Sequence, residues 1–223
     1  MLTDDDVARG PDWLSRLKRL ARAHGAASAT PIFVGDGPVW RLLEPVMTGF
    51  GSALLCRYGG VWGGGVAFER DRLDEECYRA DLERTVSDDA LLWDALEDVY
   101  TTPSFANVVR VPGDVRSVRN RFTRFLLTYR YWLPRATLTL WVLTLAFVAL
   151  ALVAPVVAAL SATAASAAAY RYLGVERRTW LLAFPSMLVL PLLLSSAWLS
   201  PTFEWGGRRY GWREKFDVDV ADD

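Results

Sequence analysis

Residues 2–17 read LTDDDVARGPDWLSRL, and the order of residue types in that stretch sets the expected fold. A short apolar opening leads into Asp4-Asp5-Asp6. Pro11 then opens a run, 11–24, in which Trp13, Leu14, Leu17 and Leu20 recur at helical spacing, and Gly25 stops it. Where a strand end meets a helix start, Asp4 and Asp6 can face a divalent cation that carries a diphosphate. Taken alone the triplet is a weak signal, because acidic runs are usually solvated. It gains weight from two stations further along the chain. Ser87-Asp88-Asp89 forms a second acidic station at a predicted helix start. Arg121-Phe122-Thr123-Arg124-Phe125 lies in an arginine-rich helix, and long apolar segments come after it.

Composition bounds the classes of function. At 223 residues the chain can hold one modest domain plus membrane helices. The net charge of −1 hides an uneven spread. Residues 1–109 carry 18 acidic and 11 basic side chains, and residues 110–215 carry 14 basic and four acidic ones. Basic residues bordering lipid-length segments fit an anionic lipid surface or a phosphate leaving group, not nucleic acid. The only histidine, His24, reads as a helix-end residue, so a zinc cluster is excluded. Cys56 and Cys77 lack metal-ligand spacing and read as free thiols. The acidic start, with no basic or apolar leader, does not read as a signal peptide.

Further along, Ala29–Val34 reads as a buried strand, while the apolar stretch 38–56 is undecided. Gly59-Gly60 and Gly63-Gly64-Gly65 mark a loop whose backbone approaches something closely. Val66–Phe68 is a short strand, and a helix starts at Arg70. Ser87 is a good N-cap for a helix over 88–99, with its acids where the dipole favours them. Val108–Val111 is another strand. Residues 114–133 make an amphipathic helix with aromatics on one face and Arg116, Arg119, Arg121, Arg124 and Arg130 around them, suited to the membrane interface. Residues 136–170 contain no charge: 35 residues, long enough for two short spans broken near Pro155. Residues 179–203 make a further uncharged span. Arg171, Arg177 and Arg178 before it and Arg208, Arg209, Arg213 and Lys215 after it both point to the cytoplasmic side. One simple span between them conflicts with that.

Taken in order, these stations resemble the membrane-anchored family 2 glycosyltransferases, in particular the ceramide- and hopanoid-glucosyltransferase-like branch. Asp4-Asp5-Asp6-Val-Ala-Arg-Gly-Pro-Asp-Trp-Leu is similar to the family's metal-binding Asp-x-Asp segment. Gly63-Gly64-Gly65-Val-Ala-Phe68 is similar to its acceptor-side glycine loop. Ser87-Asp88-Asp89 resembles the acidic pair that carries the catalytic base, and Arg121–Phe125 the (Gln/Arg)-x-x-Arg-Trp segment. The stretch from Ser200 to Tyr210, SPTFEWGGRRY, resembles the branch's post-membrane signature.

The resemblance implies an α/β fold plus membrane helices: the C-terminal half of a GT-A nucleotide-sugar domain (1–113), an interfacial helix (114–135), two or three transmembrane helices (136–203) and a polar C-terminal tail (204–223). It implies an inverting, multi-pass membrane enzyme whose catalytic part is cytoplasmic. Such an enzyme moves a sugar from a nucleotide-diphosphate donor to a membrane lipid acceptor, with Mg²⁺ or Mn²⁺ on Asp4 and Asp6. Asp89 is then the general base, and Arg121 and Arg124 stabilise the leaving diphosphate. Asp88, Gly63, Gly64, Gly65 and Phe125 contact substrate. Phe125 departs from the pattern: it keeps a ring but lacks the indole N–H of tryptophan. The family's opening βαβ units have no counterpart here. At roughly 30 residues per unit this amounts to on the order of 100 residues, which a longer chain or an N-terminal partner segment would supply. The alternative class is a non-catalytic membrane fragment, a pseudoenzyme that binds or scaffolds.

Overall fold

Trp13, Leu17 and Ala21, four residues apart, form the buried face of helix α1 (Trp13–His24). Gly25 ends it at φ +83°, its N–H bonding back to Ala21 O. The structure, a computed structural model, describes residues 10–96 and 98–221. Asp4 and Asp6 lie outside the described residues. The chain forms two units: residues up to 34 with 47–111 and 169–176, and residues 35–46 with 112–168 and from 177 on.

In the first unit, β1 (Ala26–Ser28) pairs antiparallel with β3 (Val66–Phe68), and β2 (Thr30–Val34) pairs parallel with β4 (Ala106–Arg110), Ile32 opposite Val108. The strands β1 and β3 and most of β2 are buried, Ser28 and Thr30 included, so they show no alternation of apolar and exposed polar residues. Trp13, Leu17, Ala27, Ala29, Trp62, Ala67 and Phe105 make one core cluster. Ala26, Val61, Val66, Leu92, Leu96 and Val99 make another.

Two helix boundaries shift by four or five residues from the sequence reading. Arg70–Arg72 forms only a 3-10 turn. The helix α4 (Glu75–Leu82) starts at its cap Asp74, which accepts the N–H groups of Glu76 and Cys77. The helix after Ser87, α5 (Asp88–Ala95), stops four residues short of 99. Leu96 turns extended into the core, and Asp98 takes φ +51°, a left-handed conformation that aspartate tolerates better than most residues. The undecided stretch is helical throughout: α2 (Pro38–Glu44), a π-helical segment Pro45–Ser52 and α3 (Ala53–Tyr58).

The second unit is built on α6 (Val115–Trp132), capped by Asp114, whose carboxylate accepts the Ser117 N–H at 2.9 Å. The long uncharged run breaks at Pro155 as expected. It gives α7 (Pro134–Val153) and α8 (Pro155–Leu173), with Ala154 between them. A 3-10 turn, Arg178–Leu182, leads into α9 (Ala183–Leu199), which contains Pro191. Two segments, Pro134–Val153 and Arg178–Leu199, are long and apolar enough to cross a membrane.

The region after α9, expected as a polar tail, is a three-stranded antiparallel sheet: β5 (Thr202–Trp205), β6 (Arg208–Glu214) and β7 (Asp217–Ala221). Gly206 and Gly207, at φ +58° and +77°, form the two-residue loop that a hairpin of this twist requires. Phe203 and Trp212 are buried beneath it.

A buried ion pair ties α2 to the turn before α9. Glu44 is fully buried; its Oε1 accepts from Arg177 Nε at 2.8 Å and from the Thr179 hydroxyl. Arg177 also donates to Gly35 O at 3.0 Å. Removing one partner of such a pair strands a charge. We therefore expect Arg177→Ala to cost about 3 kcal/mol, read as a lower thermal midpoint in detergent. A Glu44→Leu/Arg177→Leu double variant should recover part of the loss.

Asp114 gives a pH-dependent test. The Ser117 backbone N–H, foremost, holds its carboxyl below the usual range. A lowered carboxyl stabilises above its unfolded pKa of roughly 3.9, and that contribution is lost as pH falls through the lower folded value. Asp114→Asn should therefore flatten the acid-side fall in thermal midpoint, measured from pH 6 downward.

Candidate functional site

In the first unit the acidic station is a structured carboxylate at a helix start. Ser87 Oγ accepts the Ala90 N–H at 3.3 Å, as an N-cap does, and donates to Asp89 Oδ1 at 2.6 Å. The Ala90 N–H also reaches Asp89 Oδ1, at 2.9 Å. One oxygen of Asp89 is thus pinned from two sides, and among the described residues no hydrogen bond reaches the other. The side chain is half-buried, while Asp88 is exposed.

Tyr78 faces this pair. Its hydroxyl makes a long bond to Asp88 O at 3.5 Å. Burial, then the negative charges of Asp88 and Asp89, pushes the phenol up to about 12. It therefore stays a neutral donor across the physiological range. Nothing in the sequence reading singled out Tyr78. The signal lay in its placement on α4, which packs against α5.

Gly63, Gly64 and Gly65 are buried. A Cβ on Gly64 would fall onto the Trp62 ring, and one on Gly65 onto the Trp13 ring. The loop is tied to the strands: Trp62 N–H donates to Ser28 Oγ at 2.9 Å and Ala29 N–H to Gly65 O at 2.8 Å. The close approach expected from the glycines is thus to tryptophan rings of the core.

Beside α1 lies an open groove of about 680 Å³, lined by Asp12, Trp13, Arg16, Phe105, Asn107 and Arg110 among others. That volume falls in the range of small-molecule sites. Trp13 Nε1 donates to Asn107 Oδ1 at 2.9 Å, and Arg16 donates to Ser104 O at 2.8 Å. These bonds fix the wall formed by α1 and β4. The other edge of β4 has no strand partner among the described residues, and Val108 on it is 57 % exposed.

In the second unit, Arg121, Arg124 and Phe125 are half-buried on α6. The Arg124 guanidinium stacks over the Trp205 ring at 4.8 Å and over Phe125 at 5.6 Å. Arg116 pairs with Glu204, donating to its Oε1 at 2.7 Å. Both groups of that pair are well exposed, so it orients more than it stabilises. Trp205 is a neighbour of the site that the sequence reading missed as such. Its signal was the Trp-Gly-Gly-Arg hairpin turn within the quoted SPTFEWGGRRY stretch.

Asp88, Asp89 and the glycines therefore belong to the first unit, and Arg121, Arg124 and Phe125 to the second. Among the described residues no group of three or more His, Cys, Asp or Glu side chains is placed to hold a metal ion. Compared with known proteins, the chain matches no family model, no curated protein and no solved structure.

Ser87 carries both the helix cap and the clamp on Asp89. Ser87→Ala should cost about 1 kcal/mol. The readout is faster hydrogen exchange at the Ala90 amide, with amides of α1 unchanged.

Proposed function

We propose that the chain is the acceptor-side and membrane portion of an inverting glycosyltransferase that moves a sugar from a nucleotide diphosphate to a membrane lipid hydroxyl. The observation that carries this reading is the Asp89 carboxylate, held by Ser87 and the Ala90 amide at one oxygen and left open at the other. Such a group is built to receive a proton from a hydroxyl. As the proton leaves, the lipid oxygen attacks the anomeric carbon from the face opposite the diphosphate. The bond from carbon to the diphosphate oxygen breaks, and the sugar inverts. One base is enough for a single displacement.

Other features agree with it. Tyr78 remains protonated beside Asp89 and supplies a neutral donor next to the base. Arg124, backed by the Trp205 ring, presents a planar cation suited to phosphate oxygens. The groove beside α1 has a volume in the range of small-molecule sites. Asp4 and Asp6 offer hard carboxylate oxygens of the kind Mg²⁺ and Mn²⁺ take. Such an ion, when bound, neutralises charge on the leaving diphosphate. The apolar helices of the second unit fit a multi-pass membrane chain, whose catalytic part is proposed to face the cytoplasm.

The second reading, a non-catalytic membrane partner, draws on the open edge of β4 with its exposed Val108. Transfer assays separate the two. The chain is purified in detergent, with and without a co-expressed upstream βαβ segment, and given nucleotide-diphosphate sugars, Mg²⁺ and a membrane lipid extract. The enzyme reading expects glycolipid, lost in chelator and abolished by Asp4→Ala or Asp6→Ala. Asp89→Asn should slow transfer by about 10²–10⁴ while donor binding survives, and Asp88→Asn should cost less. No glycolipid in either format, or full activity in Asp89→Asn, would overturn it.

A further inference from the structure

The charge conflict around α9 has a structural answer in the second unit. Arg171, Arg177 and Arg178 precede the apolar segment, and Arg208, Arg209, Arg213 and Lys215 come after it. Clusters of this kind stay on one side of a membrane. The reference element is α6. Arg116, Arg119, Arg121, Arg124 and Arg130 are spread along all of it, so α6 cannot traverse hydrocarbon. Its place is at one polar face of the bilayer.

Both ends of α9 are tied to structures that pack on α6. At the N-terminal end, Arg177 bonds Glu44 of α2, and Trp40 of α2 packs against Phe122 of α6 with ring centroids 6.3 Å apart. At the C-terminal end, Arg130 of α6 lies over the Trp198 ring at 4.4 Å. The sheet after α9 places Glu204 on Arg116 and Trp205 under Arg124. Between these ties α9 buries one stripe, Ala183, Ser186, Leu190, Leu194 and Ala197, and contacts α6 and α7. Its other face is apolar and open: Leu192 is 69 % and Leu199 85 % exposed.

We propose that α9 does not cross the bilayer. It docks into a single leaflet beside α6, and its open face is covered by the acyl chains of that leaflet. The two crossings are made by α7 and by α8, which is alanine-rich and less apolar than the segment 178–199 it replaces as a span. At 20 and 19 residues they span about 30 Å each, the thickness of the hydrocarbon core. Only Ala154 lies between them. With two crossings, every arginine cluster falls on the side of α6, where anionic head groups favour it. A helix that long and apolar is read from sequence as a span; what keeps it in one leaflet is that its C-terminal end meets α6 directly and the turn before it is tied to α6 through α2.

This inference rests on the membrane reading above, and the two fail differently. Full-length chain is expressed with exposed Cys77 replaced by serine and buried Cys56 retained. Single cysteines are introduced as Glu176→Cys, Arg208→Cys and Val153→Cys, with Arg171→Cys and Arg209→Cys as second variants should any fail to accumulate. Sealed vesicles of either orientation are treated with a membrane-impermeant maleimide. Positions 176 and 208 should label in the same orientation, and position 153 in the opposite one. Labelling of 176 and 208 from opposite sides would mean that α9 crosses. Labelling of 153 from the same side as 176 would mean that the α7–α8 pair does not. Release of the unmodified chain from membranes by alkaline carbonate would instead overturn the membrane reading itself.

Discussion

A charged helix beside apolar ones constrains everything in the second unit. The α6 helix carries five arginines over 18 residues, and guanidinium groups are always charged. The arginines at 116, 124 and 130 are engaged on the polar side: Arg116 with Glu204, Arg124 with Trp205, and Arg130 with Trp198. The apolar residues Val118, Phe122 and Leu127 turn the other way and are buried. A helix with that division has one polar and one buried face. Whatever packs on it is held to that division, the sheet after α9 above all. Tyr131 fastens the sheet by donating to Trp212 O at 2.7 Å, and Trp132 meets the Trp212 ring edge-on.

The first unit obeys a different constraint. Its strands are three to five residues long, and pairs that short depend on packing against other elements: β1, β3 and most of β2 are buried, β4 only in part. Large rings do the covering. Trp13 closes one side, stacks on Phe105 and spends its indole N–H on Asn107. The glycine loop lets Trp62 and Trp13 lie flat against backbone. The acid-bearing helix packs through Leu92 on the other cluster, with Ala26, Val61 and Val66, so a capped carboxylate is presented by a packed element and not by a loose loop.

Much of this order was legible in the chain because local chemistry decided it. Pro11 and Gly25 bracket α1, Ser87 caps α5, Asp114 caps α6, and Pro155 divides the long apolar run. Where tertiary packing decided, the sequence was silent or misleading. Arg70 comes after a strand and looks like a helix start, but Asp74 is the better cap and wins. Leu96 continues a helical pattern, yet the core draws it into extended backbone. The stretch after Ser200 reads as polar because its strands alternate Arg, Glu and Asp with Phe203, Tyr210 and Trp212. The Gly206-Gly207 pair was the hairpin signal within it. The candidate site was half legible. Asp89 and Arg124 stand out by type and spacing, but Tyr78 and Trp205 act through partners that only folding brings near.

Gly37 and Gly113 sit backbone against backbone, so that a Cβ on either would enter the main chain of the other. Each lies just past a point where the chain passes into the second unit, at 34–35 and at 111–112. Two covalent connections far apart in sequence are thereby squeezed into one pinch. In evolutionary terms the two positions form a single character. A side chain at 37 is intolerable while 113 keeps its path, and the reverse holds equally. Among any descendants of this chain the two glycines should persist together or change together. That coupled substitution would be the imprint of the pinch in sequence alone.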